Sequence, residues 1–346
     1  MSASALRVLM ITSEWASDPG HTAHFIARQV RFLRAAGVDV DVFAFRGGRR
    51  PLRYLAAWAQ LRRRLARNGQ RYDLVHAQFG QSGLLALPKR LPLVVTFRGD
   101  DLFGILGRDG RPTPAGRLLQ WLSRQVARRA DAAILVSEHL KQYLSDSAPP
   151  PPVHIVPSGL DLELFRPIPR EEARHHLGWP PHGRRVLFVG DPGDPRKRYD
   201  LARQAVELVN CTVGAELVIG WRVPHEAMPF YMSACDALVF TSREEGSPNA
   251  VKEALACDLP VVSVAVADVP LRLQGIPGCE VCADDSPPTI AAALERTLRR
   301  DARSGGRGRA AASQLDERLL TGRVIDIYRS VLAGTNGHHT AELAHV

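Results

Sequence analysis

The sequence predicts two doubly wound α/β domains in tandem, each built on a parallel sheet. Three observations predict it. Short β-branched runs alternate with amphipathic stretches, the signature of βαβ units. The alternation breaks at a proline-bearing segment, Pro157 to Pro169, and then restarts. The chain's 346 residues exceed one ordinary domain and suit two.

The first half opens with a strand at Leu6 to Thr12, a loop from Ser13 to Gly20, and a helix from about His24 that Gly37 ends as a left-handed cap. Strands are expected at Val38 to Phe45, Leu74 to Ala77, Leu93 to Phe97, Ala132 to Val136 and His154 to Val156. Helices lie between them, including Tyr54 to Asn68 and Gly116 to Arg129. The second half predicts strands at Arg185 to Val189, Ala215 to Ile219, Ala237 to Phe240 and Pro260 to Val264, then a long helix from about Ser313 to Leu332. The expected boundaries are 1–160 for an N-terminal domain, 161–333 for a C-terminal domain and 334–346 for a polar, disordered tail. Doubly wound domains bind ligands outside the C-terminal ends of their strands, so the loops there are the place to look.

Composition excludes several classes. Hydrophobic residues at 45 % and charged residues at 23 % are globular proportions. No run of 18 apolar residues occurs, so no spanning helix is expected. Met1 to Ala5 lacks the basic start and apolar stretch of a secretion signal, which predicts a cytoplasmic location. The five cysteines all lie beyond Val209 and form no disulfide framework. Cys279-Glu280-Val281-Cys282 is a lone CxxC; without a second pair it reads as two small, half-buried residues rather than a zinc or redox site. Net charge is +9, but Lys plus Arg exceed Asp plus Glu by 10 before Arg166 and fall one short from Arg166 onward. The basic excess belongs to the first half.

The densest chemical constellation is Thr241-Ser242-Arg243-Glu244-Glu245-Gly246-Ser247-Pro248-Asn249-Ala250-Val251-Lys252-Glu253-Ala254, directly after a predicted strand. Ser247 suits a helix cap and Pro248 the first helical position, which would leave free N–H groups and a positive helix end for an anion. Glu245 just before the helix and Glu253 nearly two turns in are carboxylates placed to accept bonds from hydroxyl pairs, as sugar and ribose recognition requires.

This segment resembles the signature of the retaining glycosyltransferases of family 4, whose fold is GT-B, with two glutamates separated by seven residues. Other stretches match in the same order. Tyr72-Asp73-Leu74-Val75-His76-Ala77 and Val94-Val95-Thr96-Phe97-Arg98-Gly99-Asp100 resemble N-domain motifs. Val156-Pro157-Ser158-Gly159-Leu160-Asp161 resembles the linker, and Phe188-Val189-Gly190 followed by Lys197 the donor-phosphate loop. Ser247-Pro248-Asn249 with Cys257-Asp258-Leu259-Pro260 is most similar to the subgroup acting in teichuronic acid and other cell-surface polysaccharide assembly.

The resemblance implies two Rossmann-like domains facing across a cleft, with a UDP- or GDP-linked sugar as donor substrate, no cofactor and no metal. It implies Glu253 at the donor ribose, Glu245 at a hydroxyl of the transferred sugar, and Lys197 at the diphosphate, with Gly190, Gly246, Ser247, Pro248 and Asn249 around them. Gly20 would let the N-domain backbone approach the phosphates, and His24 and Asp100 would lie on the acceptor side. Two positions depart from the family. Asp191 stands where an arginine is usual, so Arg196 or Arg198 is expected to supply charge. Arg98 stands where a histidine contacts the transferred sugar, which points to a different sugar, such as a charged or deoxy one. Asp258 replaces a glycine; Asp tolerates the left-handed turn this requires.

The implied chemistry is same-face attack, since no carboxylate pair suits a double displacement. The rivals are a GT-B epimerase and a degenerate protein that binds a nucleotide sugar or a partner. Weaker candidates fare less well. Asp39-Val40-Asp41 spells a metal-binding DxD but starts a strand, away from the ligand end. His21 and His24 flank the first helix start and could ligate a metal, but are expected to line the acceptor side or face solvent, and His175-His176 and His338-His339 lack partners at ligand spacing. Arg46 to Arg71 holds nine arginines and no acid, with Leu52, Leu55, Trp58, Leu61 and Leu65 at near-helical spacing. That pattern suits a helix resting on an anionic membrane, with a lipid-linked or saccharide acceptor. No stacking aromatics or motif support nucleic acid.

Overall fold

The computed structural model describes residues 5–15, 24–47, 51–68, 71–107, 110–144, 151–300 and 305–343. The chain divides into two compact units, one of Met1–Gly159 with Glu317–Val346 and one of Leu160–Asp316.

The first unit carries β1 (Arg7–Thr12), α1 (His24–Ala35), β2 (Asp39–Ala44), α2 (Pro51–Asn68), β3 (Leu74–Gln78), α3 (Gly80–Gly83), β4 (Leu93–Phe97), α4 (Asp100–Phe103), α5 (Pro114–Ala127), β5 (Ala132–Leu135) and β6 (Val153–Ile155). The strands form one parallel sheet in the order β2-β1-β3-β4-β5-β6. The period-2 rule sorts their side chains. Leu9 and Ile11 of β1 pack on one face with Leu61 and Leu65 of α2 and Val126 and Ala127 of α5. Val8 and Met10 pack on the other with Ile26, Val30 and Leu33 of α1. Covering both faces explains why the strands read as near-continuous apolar runs. Thr113 caps α5 by accepting from the Gly116 N–H at 3.1 Å, with Pro114 in the first helical turn.

The second unit carries α6 (Arg170–His176), β7 (Arg184–Phe188), α7 (Tyr199–Val213), β8 (Ala215–Ile219), α8 (Met228–Ala234), β9 (Ala237–Phe240), α9 (Asn249–Ala256), β10 (Val261–Ser263), α10 (Val269–Leu273), β11 (Glu280–Val281), α11 (Pro287–Arg300) and α12 (Arg307–Ser313). Its parallel sheet runs β11-β10-β9-β7-β8 around a single core. The short β11 was not foreseen: two residues flanked by cysteines carry too little pattern. Asp258 takes φ 59, the left-handed turn expected of it, and its carboxylate accepts from the Gly306 N–H at 2.8 Å.

The last helix, α13 (Glu317–Leu343), belongs to the first unit, not the second. Leu320, Val324 and Tyr328 pack into the face that α1 covers. Arg28 of α1 donates to Glu317 at 3.2 Å in a fully buried pair. Gly159 fits against the start of α13, where an added Cβ would lie 2.7 Å from the Glu317 Cα. The expected division at 333 is therefore corrected. The expectation of a disordered tail from 334 is also corrected, because α13 continues to Leu343. Extending a formed helix adds one hydrogen bond per residue fixed, which carries it through a polar sequence.

Candidate functional site

In the second unit the chain leaves β7 for β8 on one side and returns to β9 on the other. Loops after β7 and β9 therefore lie side by side at the topological switch point, the crevice where open parallel sheets bind ligands. The β7 loop turns at Gly190 with φ 148, a conformation that favours glycine. A Cβ there would sit 3.2 Å from the Lys197 Cγ, so the lysine stem lies across the glycine. The Lys197 ammonium donates to the Glu245 carboxylate in the β9 loop, and both side chains are partly exposed, at 25 % and 19 %.

Main-chain bonds hold the two loops in register. The Thr241 hydroxyl donates to the Lys197 carbonyl at 2.8 Å, the Arg243 N–H to the Arg196 carbonyl at 2.8 Å, and the Arg198 guanidinium to the Thr241 carbonyl at 2.6 Å. Arg198 itself is left-handed, with φ 50. Neither arginine is a spare cation. Arg196 pairs with Asp194 at 2.9 Å, and Arg198 pairs with Asp285. Asp191 accepts from the Gly193 N–H at 2.8 Å and so shapes the loop as a local turn.

The helix start differs from expectation. Ser247 is not the cap; its hydroxyl donates to Asp268 at 2.9 Å. Pro248 takes the cap position and α9 begins at Asn249. A carboxylate 21 residues away won the serine, a partner that local spacing could not reveal. Asn249 retains a buried Oδ1 with no hydrogen-bond partner among the described residues, and Gly246, three positions earlier, is buried. Glu253 and its neighbour Lys252 are both buried, at 7 % and 1 % exposure. A buried lysine next to a buried glutamate was missed, because helical periodicity alone leaves the two faces of so short a helix ambiguous.

In the first unit a second polar cluster lies at the C-terminal ends of β3 and β4. The Arg98 guanidinium donates through Nε and Nη2 to the Gln78 Oε1 at 3.1 and 2.7 Å, and through Nη1 to the Ser158 hydroxyl at 2.7 Å. Its plane lies 4.4 Å from the centroid of the Phe25 ring. Burial lowers its pKa to about 10. Behind it, buried His76 shares one ring nitrogen with Tyr328 at 2.6 Å and the other with Thr96 at 2.7 Å. Burial first, and the Arg98 charge second, push His76 down to about 3, so it is neutral. Asp101 accepts from the N–H groups of Gly80, Arg98 and Gly99, yet burial pushes its pKa up to about 6. Sequence reasoning assigned no role to Gln78, Gln29 or Ser158, although a glutamine ending an apolar strand was a usable signal.

Asp100 is exposed at the start of α4, and His24 is exposed at the start of α1. Gly20 and His21 lie outside the described residues. Of the weaker candidates, Asp41 is bound by Arg64 and Tyr72. His176 stacks on Phe230 at 3.7 Å. Burial pushes the thiols of Cys279 and Cys282 up to about 11, which opposes thiolate chemistry. The apolar stripe of α2 splits. Leu61 and Leu65 enter the core, whereas Leu52, Leu55 and Trp58 are 75 %, 64 % and 40 % exposed.

Residues 6–164 match the family Glycosyltransferase Family 4, and residues 180–300 match Glycosyl transferases group 1. The chain is 28 % identical over 317 residues to a D-inositol 3-phosphate glycosyltransferase of Catenulispora acidiphila, covering 77 % of this chain and 74 % of that protein. It is 30 % identical over 284 residues to one of Mycobacterium marinum, covering 71 % and 60 %. The chain thus spans about 60 to 74 % of the length of these relatives. Among solved structures it is similar to the sucrose-phosphate synthase of Thermosynechococcus elongatus, at TM-score 0.79 and 19 % identity over 95 % of this chain and all of that one. It is similar to Anabaena HepE in complex with UDP and glucose, at TM-score 0.71 and 16 % identity over 94 % and 100 %. These likenesses show the fold, which is GT-B, built of two parallel-sheet α/β units.

Proposed function

The chain carries a Glycosyltransferase Family 4 domain and a Glycosyl transferases group 1 domain, which makes it a glycosyltransferase, and we propose on that premise that it moves a sugar from a nucleoside diphosphate sugar to a hydroxyl acceptor with retention. The observation that carries the proposal is the Lys197–Glu245 pair at the switch point of the second unit, laid across Gly190. A cation and a carboxylate there match the two ends of a sugar diphosphate.

In this reading Gly190 lets the backbone approach the diphosphate, and Lys197 holds it from one side. Gly246, Ser247, Pro248 and Asn249 bring the N–H groups of the α9 start to the other. Glu245 accepts a hydroxyl of the transferred sugar and Glu253 accepts the ribose hydroxyls. Arg196 and Arg198, each tied to a carboxylate, keep the loop in place beside the diphosphate. From the first unit Gly20 serves the donor phosphates, Arg98 the transferred sugar, and His24 and Asp100 the acceptor.

The reaction breaks the bond from the anomeric carbon to the diphosphate oxygen and forms one to the acceptor oxygen on the same face. The departing phosphate oxygen takes the acceptor's proton. Glu245 is committed to Lys197, which makes it a poor nucleophile for a double displacement. Fixed positive charge stabilises the developing diphosphate in place of a metal ion.

The relatives' name supports a cyclitol or sugar hydroxyl as acceptor, and the Anabaena complex supports a UDP-linked donor. The resemblance of Ser247-Pro248-Asn249 and Cys257-Asp258-Leu259-Pro260 supports work in cell-surface polysaccharide or glycolipid assembly, teichuronic acid included. Contact with the inner face of an anionic membrane is supported by Leu52, Leu55 and Trp58 of α2. Leu118 and Trp121 of α5, both over half exposed, add to it from the same sheet face.

A thermal-shift screen of UDP-, GDP- and ADP-sugars tests the reading, followed by proton NMR of the product's anomeric centre. One donor should raise the melting temperature and give a retained linkage. Sugar conversion without an acceptor would make the protein an epimerase. Binding without any turnover would make it a binding protein.

A further inference from the structure

The guanidinium of Arg98 is oriented entirely by neutral groups. Gln78 takes Nε and Nη2, Ser158 takes Nη1, Gln29 lies 3.4 Å from Nη2, and Phe25 backs the plane. Gln29 and Gln78 also bond each other at 2.8 Å, so the cradle is rigid. A guanidinium offers five N–H donors, and one on Nη1 has no partner among the described residues. Three carboxylates, those of Glu317, Asp101 and Glu14, act on Arg98 through space, and none is bonded to its guanidinium. Asp101 accepts from three backbone N–H groups, and Glu317 is paired with Arg28. His76 is neutral. The result is a half-buried, fixed positive charge with no carboxylate bonded to it, at the C-terminal edge of a parallel sheet.

We infer that Arg98 is an anion-recognising residue, and that the substrate group it meets carries a carboxylate or a phosphate. The physical reason is charge balance. A desolvated cation is costly unless an anion compensates it, and a pre-oriented fork loses little entropy when one arrives. A neutral sugar hydroxyl would accept the free N–H but leave the guanidinium without a bonded anion. Burial has already begun to disfavour the charged form, as the lowered pKa of about 10 records. The inference deepens the glycosyltransferase reading and rests on it for the word substrate. The anion belongs either to the acceptor or to the transferred sugar.

The test separates this inference from the reading it rests on. The intact chain is first saturated with whichever of UDP, GDP and ADP raises its melting temperature most, which fills the diphosphate site around Lys197. Inorganic phosphate and glucuronate are then titrated, with glucose as the neutral control, on wild type, Arg98→Gln and Arg98→Lys. Wild type should show a saturable rise with the anions and none with glucose. Arg98→Gln should weaken the apparent anion affinity about tenfold, the scale of one charge-assisted bond, and Arg98→Lys should restore part of it. Equal anion response in wild type and Arg98→Gln, or none in wild type, overturns the inference. If no nucleoside diphosphate shifts the melting temperature, the donor reading fails, but the anion titration still decides this point. Two further arms locate the group. UDP-glucuronate against UDP-glucose reads the donor, and myo-inositol 1-phosphate against myo-inositol reads the acceptor. Arg98→Gln should erase the preference for the charged member of one pair only.

Discussion

The ammonium of Lys197 and the carboxylate of Glu245, 48 residues apart in sequence, form an ion pair that joins the loops after β7 and β9. Each group is held by the other before any ligand arrives. On the proposed reading, a donor diphosphate would meet a lysine already aimed, and a sugar hydroxyl a carboxylate already aimed.

Lys197→Ala should lower turnover roughly a hundredfold, or about 3 kcal/mol of transition-state stabilisation, because charge grows on the diphosphate as the glycosidic bond breaks. Stability should change by less than about 1 kcal/mol, since the pair is partly solvated. Steady-state kinetics beside a urea melt checks both. Equal activity with equal stability would show that the leaving group is held elsewhere.

Glu253→Gln and Glu245→Gln should differ in kind. Glu253 is buried in α9 and should govern donor affinity, raising the donor KM about tenfold with little change in kcat. Glu245 faces the lysine and should chiefly lower kcat. Identical kinetic profiles for the two variants would remove the distinction.

His76 and Asp101 should give opposite pH slopes. His76 titrates near 3 folded against 6.5 unfolded, so between those values the unfolded chain binds more protons and stability falls on acidification. Asp101 titrates near 6 folded against 3.8 unfolded, so in that window the folded chain binds more protons and stability falls as pH rises. The two nearly cancel between pH 4 and 6 in the wild type. Asp101→Asn should expose the His76 slope, up to about 1.4 kcal/mol per pH unit, and His76→Gln should expose the reverse. Urea midpoints from pH 4 to 7 check it; parallel curves for all three proteins would refute it.

Arg174→Ala should destabilise the second unit by about 3 kcal/mol. Arg174 is buried and bonds the carbonyls of Ala234 and Gly183 and the carboxylate of Asp236 at 3.0, 3.0 and 3.1 Å. Removing it strands the two carbonyls and takes one of two guanidiniums from Asp236, which also pairs with Arg170 at 3.0 Å and takes the Arg185 N–H at 2.8 Å. A calorimetric melt that shifts by under a degree would contradict this.

Replacing Leu52, Leu55 and Trp58 together by serine should abolish flotation with anionic vesicles at low salt. Wild-type binding should fade as ionic strength rises. Wild-type protein that never floats would leave the acceptor soluble and α2 without a membrane role.

What the sequence determined by itself was local. Period-2 and helical patterns placed β1, β4, β8 and β9 within a residue of their observed ends, because each depends on neighbours a few positions away. Gly190 with Lys197, the spacing of Glu245 and Glu253, and the left-handed Asp258 were legible for the same reason. Only the tertiary structure decided the pairings. It gave Glu245 to Lys197, Ser247 to Asp268 rather than to its own helix, Arg98 to Gln78 and Ser158, and α13 to the first unit through Arg28 and Glu317. Those contacts span 20 to 289 residues, and strand order rather than local periodicity brings their ends together.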